Sequence, residues 1–233
     1  SDGLDIGTGD FFSVEDDGPV AAEPNAQLLG EVEAAVLDES AAPEDGDGVY
    51  SATVDVSAVF AGAAAGDYGT DGAGSIGYAV SLAGASVGSG LYILDAESAD
   101  GKGAEIMLVD NSDGTVSGMN GDDEVFTISV DGNGVVTFAY TDADPDNIWH
   151  ADSSENDDAS VLETATSGQL VVTQTITDAD GDSVTSDGLD IGTGDFFSVE
   201  DDGPSARALT SEEIREAEIT APEMLVDESP VDD

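Results

Sequence analysis

The chain has 233 residues, of which 53 are Asp or Glu and only 3 are Lys or Arg, a formal net charge of −50 at pH 7. That balance argues against nucleic acid as a partner, because phosphate binding needs Lys and Arg, and against an anionic membrane surface. Without cysteine there are no disulfides and no zinc thiolate sites, and no run of 18 apolar residues is present to span a bilayer.

A chain so charged repels itself, and either salt or bound cations must relieve the strain. Disorder is not the expectation, because 39% of the residues are hydrophobic and they are patterned. The segment "SDGLDIGTGDFFSVEDDGP" at Ser1–Pro19 returns unchanged at Ser186–Pro204, and "VLDES" at Val36–Ser40 is echoed by "LVDES" within Leu225–Ser229. Such self-similarity marks a tandem array. Residues 1–19 are then the tail of one repeat, 20–35 a linker, 36–204 a complete repeat, 205–222 a second linker and 223–233 the start of the next. The linkers "PNAQLLGEVEAA" and "TSEEIREAEI" favour one or two helical turns, with Thr210 and Glu213 able to form a capping box.

Within the repeat the predicted elements are strands. "VYSATVDVSAVF", "SIGYAVSLA", "LYIL" and "EIMLV" come first, with "GASVGSG" read as a turn. "EVFTISV" puts Phe126, Ile128 and Val130 on one face, and "GVVTFAY" does the same with Val136, Phe138 and Tyr140. "DGNG" at Asp131–Gly134 supplies a tight hairpin between them. "GQLVVTQTIT" follows, with Leu170, Val172 and Ile176 on one side, and "DFFSV" closes the set. Short strands at this spacing, without a long helical period, indicate an all-β antiparallel sandwich with short helical linkers.

The acids cluster. "TDADGDSVT" places Asp178, Asp180 and Asp182 at alternate positions around a glycine, a spacing that brings several oxygens to one hard cation such as Ca²⁺. "TDADPDNIWHADSSENDD" is a second acidic loop with Asp142, Asp144 and Asp146, and "YGTDGAG" offers Asp71 in a turn. "EDDGP" closes the repeat with Glu200, Asp201 and Asp202, and "LDES" opens it with Asp38 and Glu39. In an array the closing cluster of one repeat would lie near the opening cluster of the next, where carboxylates repel unless a divalent ion sits among them. Trp149 reads as a core plug. His150, the lone histidine, reads as a hydrogen-bonded structural residue. One histidine and one lysine far apart in the repeat give poor material for a nucleophilic triad, so no enzyme is expected.

The motifs "YGTDGAGSIGYAVSL", "GLYIL", "GKGAEIML", "VFTISVDGNGVVTF", "DNIWHAD", "LVVTQTITDADGDSV" and "FFSVEDDGP", in this order, resemble the repeat domain, itself of unknown function, of giant bacterial RTX adhesins exported by type I secretion. The resemblance covers about Asp38 to Pro204. It implies an Ig-like or cadherin-like sandwich repeated as a calcium-stabilised extender on the outer cell surface. The extender would project a distal ligand-binding region for attachment and biofilm formation. Its partners would be calcium ions and neighbouring repeats of the same chain, which is otherwise monomeric. By the same resemblance Asp178, Asp180, Asp182, Asp201, Asp202, Asp38 and Glu39 are calcium ligands. The alternative is a sandwich that itself binds a carbohydrate or a surface.

Overall fold

A computed structural model of the chain describes residues 17–25, 28, 32–39, 48–60, 67–141, 148–152 and 158–201. All of them belong to one compact unit, Ser1–Gly203. Asp142, Asp144, Asp146, Asp202 and the linker with Thr210 lie outside the described residues.

The described residues form β-strands and a single 3₁₀ turn, Ser57–Phe60. The strands are β1 (Ala35–Asp38), β2 (Ser51–Asp55), β3 (Ala73–Leu82), β4 (Ser86–Leu94), β5 (Lys102–Asp110), β6 (Thr115–Asn120) and β7 (Asp123–Val130). They continue with β8 (Val135–Tyr140), β9 (Ala159–Val161), β10 (Leu170–Asp178), β11 (Ser183–Thr185), β12 (Leu189–Asp190) and β13 (Phe197–Glu200). One sheet runs β2-β8-β7-β6-β5-β4. A second has β10 between β3 on one side and β11 and β12 on the other, and a third runs β1-β13-β9. Every pairing is antiparallel except β1 with β13. The protein is an all-β sandwich.

Period-2 alternation builds the core. In β8 Val136, Phe138 and Tyr140 are buried, and in β7 Phe126 and Ile128 are. The Phe138 ring packs on Phe126 at 5.0 Å and on Phe197 of β13 at 5.2 Å between centroids, which ties the third sheet to the first. The hairpin at Asp131–Gly134 forms as the sequence suggests. Asp131 carboxylate accepts from the amides of Asn133 and Val135, and Gly134 takes φ +83°.

"GASVGSG" is not a turn but leads into β4. Its glycines serve close approach instead. A Cβ at Gly88 would meet the Glu105 carboxylate, and one at Gly90 the main chain of Glu163. The buried Ser89 hydroxyl between them donates to Ile106 carbonyl at 2.7 Å.

Part of the 20–35 segment lies on the sandwich. Val20 amide donates to Asp67 carbonyl at 2.9 Å, Ala22 is buried, and Asn25 amide donates to Val59 carbonyl at 2.9 Å. Its described residues contain no helix.

Two relationships set the chain's direction of travel. β1 and β13 run parallel, Ala35 beside Phe197 and Asp38 beside Glu200. The incoming segment is bonded at Val59, next to Val56, whose amide donates to Gly134 at the start of β8. The outgoing end lies by Glu39, which is bonded to Tyr140 at the end of β8. The chain therefore comes in at one end of β8 and leaves at the other.

Candidate metal centres

Among the described residues, two groups of ligating side chains bring their atoms within 4.8 Å of one another: Asp71, Asp178 and Asp180, and Glu39, His150 and Asp201.

The first group is made by β10. Its inward positions are Leu170, Val172, Gln174, Ile176 and then Asp178, so the strand's own parity buries a carboxylate, 3% exposed. A register shift after Thr177 sets Asp178 opposite Ala73, and Ala179 amide donates to Gly72 carbonyl at 3.1 Å. That pairing places the turn before β3, with Asp71, beside the turn after β10, with Asp180. Asp178 Oδ1 accepts from the amides of Gly181 at 3.0 Å and Asp182 at 2.8 Å. Its Oδ2 is buried without a hydrogen-bond partner. Burial works to raise the Asp178 pKa. The adjoining Asp180 side chain and the amides of Asp182 and Gly181 outweigh it and hold the carboxyl below its ordinary value. The corner sets a buried, unpartnered carboxyl oxygen beside two more carboxyl groups. A hard cation with oxygen ligands fits that set, and Ca²⁺ takes carboxylates, carbonyls and water together.

Asp182 departs from the expected trio. It contributes its amide to Asp178 and its side chain lies beside Gly18, while Asp71 joins the group in its place. The segment at Asp17–Gly18 reaches the same corner. Asp17 carbonyl sits where a Cβ on Gly69 would be, and Gly69 has φ +69°.

The second group forms where the parallel strands end. Leu37 and Glu39 share the inward parity of β1, and Val199 and Asp201 that of β13, while Asp38 and Glu200 point the other way and stay outside the group. Glu39 is 7% exposed; its amide donates to Glu200 carbonyl at 3.2 Å. Its Oε1 accepts from Tyr140 hydroxyl at 3.2 Å and Ile148 amide at 2.8 Å, and its Oε2 lies 3.8 Å from His150 Nε2. Burial and the Glu39 carboxylate push the Tyr140 phenol far up. Burial pushes the His150 pKa down, but the carboxylates of Glu39 and Asp201 prevail and raise it. Asp201 amide donates to Asp158 carbonyl at 3.2 Å. The sequence alone suggests Glu39 and Asp201 as ligands at junctions with neighbouring repeats, whereas in the structure the two meet each other. It did not place His150 with them, since the parity that points Glu39 inward says nothing of a residue 111 positions on.

Trp149 is not a core plug. It is half-buried, its Nε1 donates to Asp100 carbonyl at 2.9 Å, and its ring stands at 84° to Tyr92. Lys102 ammonium lies 3.5 Å from the Tyr92 centroid and 4.7 Å from that of Trp149.

Residues 34–192 match the model of a family described as Domain of unknown function (DUF5801). Searches of curated proteins and of solved structures found no match.

Proposed function

This chain belongs to that family, and we propose that it is a calcium-stabilised structural extender repeat of a large secreted bacterial surface adhesin, not an enzyme. The observation that carries the reading is the parallel pairing of the first and last strands. A domain whose chain comes in at one end and leaves at the other adds length when it is repeated. One whose ends meet does not.

The Asp71–Asp178–Asp180 corner is the calcium site of this reading, and its buried Asp178 Oδ2 is the atom that most needs a cation. The junction between repeats belongs to the same corner. Asp17 is the counterpart of Asp202 in the nineteen-residue repeat, and it lies against Gly69 beside this acidic turn. A cation there would fix the tail of one repeat to the body of the next. Calcium at about 100-fold over its dissociation constant would add roughly 2.7 kcal/mol per site.

The alternative, a carbohydrate- or surface-binding module, would draw on Tyr92 and Trp149. Their near-perpendicular rings and the Lys102 ammonium over them make a poor stacking platform.

The test is small-angle scattering on a chain of two or more repeats. The expected result is an extended particle in calcium that shortens, with a broader distance distribution, in chelator. The same profile in both would reject the calcium-stiffened rod.

A further inference from the structure

The Glu39–His150–Asp201 group differs from the calcium corner in one donor, and that donor changes its chemistry. The His150 side chain is 3% exposed, and its Nε2 is buried with no hydrogen-bond partner. Its other nitrogen, Nδ1, lies 3.3 Å from Ser160 Oγ. Ser160 has one hydroxyl hydrogen, and that hydrogen is given to Trp149 carbonyl at 3.0 Å. Ser160 Oγ can therefore only accept from the ring, so Nδ1 carries a proton, and the neutral ring presents its lone pair at Nε2.

That lone pair faces Glu39 Oε2 at 3.8 Å. Two acceptors facing each other in a buried place repel. At 3.8 Å a proton on Nε2 would not close a hydrogen bond either, since such a charged pair contracts to about 2.7–2.9 Å. A metal ion would. Bonds of about 2.0–2.2 Å from one ion to a nitrogen and an oxygen set those atoms about 3–4 Å apart. Glu39 Oε1 is held by Tyr140 and Ile148, which orients the carboxylate toward the gap, and Ser160 orients the imidazole. These are the outer partners that ligands of a built site have.

We propose that Glu39, His150 and Asp201 form a site for a divalent transition-metal ion such as Zn²⁺, separate from the calcium corner. Hard Ca²⁺ takes oxygen ligands, whereas imidazole suits zinc and its neighbours. The ion would join the end of β1, the end of β13 and the 148–152 segment, and so clamp the point where the chain leaves the sandwich.

The test uses the full chain in excess Ca²⁺, which occupies the all-oxygen sites, with Zn²⁺ as the probe. His150 is the only histidine, so the imidazole resonances in an NMR spectrum report this site alone. They are expected to shift and saturate at one equivalent of Zn²⁺. By calorimetry, His150→Gln is expected to weaken that binding at least as much as the roughly 10–100-fold that loss of an outer partner costs, and Ser160→Ala to weaken it about 10-fold. Imidazole resonances unmoved by Zn²⁺ would overturn the proposal even if the His150→Gln chain failed to fold. So would a His150→Gln chain that folds and binds Zn²⁺ equally well.

Discussion

The ring of Phe126 fills the space that a Cβ on Gly118, its register partner in β6, would occupy. Phe126 is fully buried and packed on Phe138, so it has no room to withdraw. Gly118→Ala is therefore expected to destabilise the sandwich by about 1–3 kcal/mol, an overpacking cost. For a domain of this size that lowers the melting temperature by roughly 2–4 °C per kcal/mol. Calorimetry of the variant checks it, and an unchanged melting temperature would mean that the ring moves freely.

Asp178→Asn should cost more stability in calcium than in chelator. The amide keeps an oxygen for the amides of Gly181 and Asp182, and it turns the lone buried oxygen into a donor facing Asp71 and Asp180. In chelator the variant should melt slightly below the native chain, because the amides of Gly181 and Asp182 favour a charged acceptor. In calcium the loss should be larger, because a charged ligand of the cation is gone as well. Asp182→Asn should alter calcium stoichiometry less, as Asp182 is outside the group. Melting curves of the three chains in both buffers decide the matter.

Gly69→Ala should loosen the segment at residues 17–20 while sparing the core. Alanine at φ +69° costs about 1–2 kcal/mol, and its methyl group would strike Asp17 carbonyl. Hydrogen exchange at Val20, whose amide bonds Asp67, should accelerate about tenfold. Exchange at Ile128 should not change.

Asp190 gives a pH dependence. Burial pushes its pKa up, but the hydroxyls of Ser167 and Thr193, each 2.6 Å away, and the Gly192 amide prevail and lower it. A depressed carboxylate stabilises the fold above its unfolded pKa, about 3.9, and loses that contribution as pH falls toward the folded value. Asp190→Asn should thus cost about 1 kcal/mol near neutral pH, discounted for exposure. The gap between the two chains should narrow below about pH 4. Denaturant curves at several pH values would show it, and a constant gap would contradict it.

The alternation in "GVVTFAY" and "GQLVVTQTIT" was enough to name the buried faces of β8 and β10, because side-chain direction in a strand is a local property with a period of two. Carried two residues further, the same parity points Asp178 inward, at the head of the acidic turn. The nineteen-residue identity of Ser1–Pro19 with Ser186–Pro204 is likewise plain without any structure. What no local pattern contains is which distant segment lies across the sheet. Asp71 meets Asp178 because β3 pairs with β10, and Glu39 meets Asp201 because β1 lies parallel to β13. His150 comes to Glu39 through a carboxylate anchored by Tyr140 and Ile148. Those meetings depend on register and packing between residues more than a hundred positions apart. Only the folded chain, where buried polar atoms must find partners, could decide them.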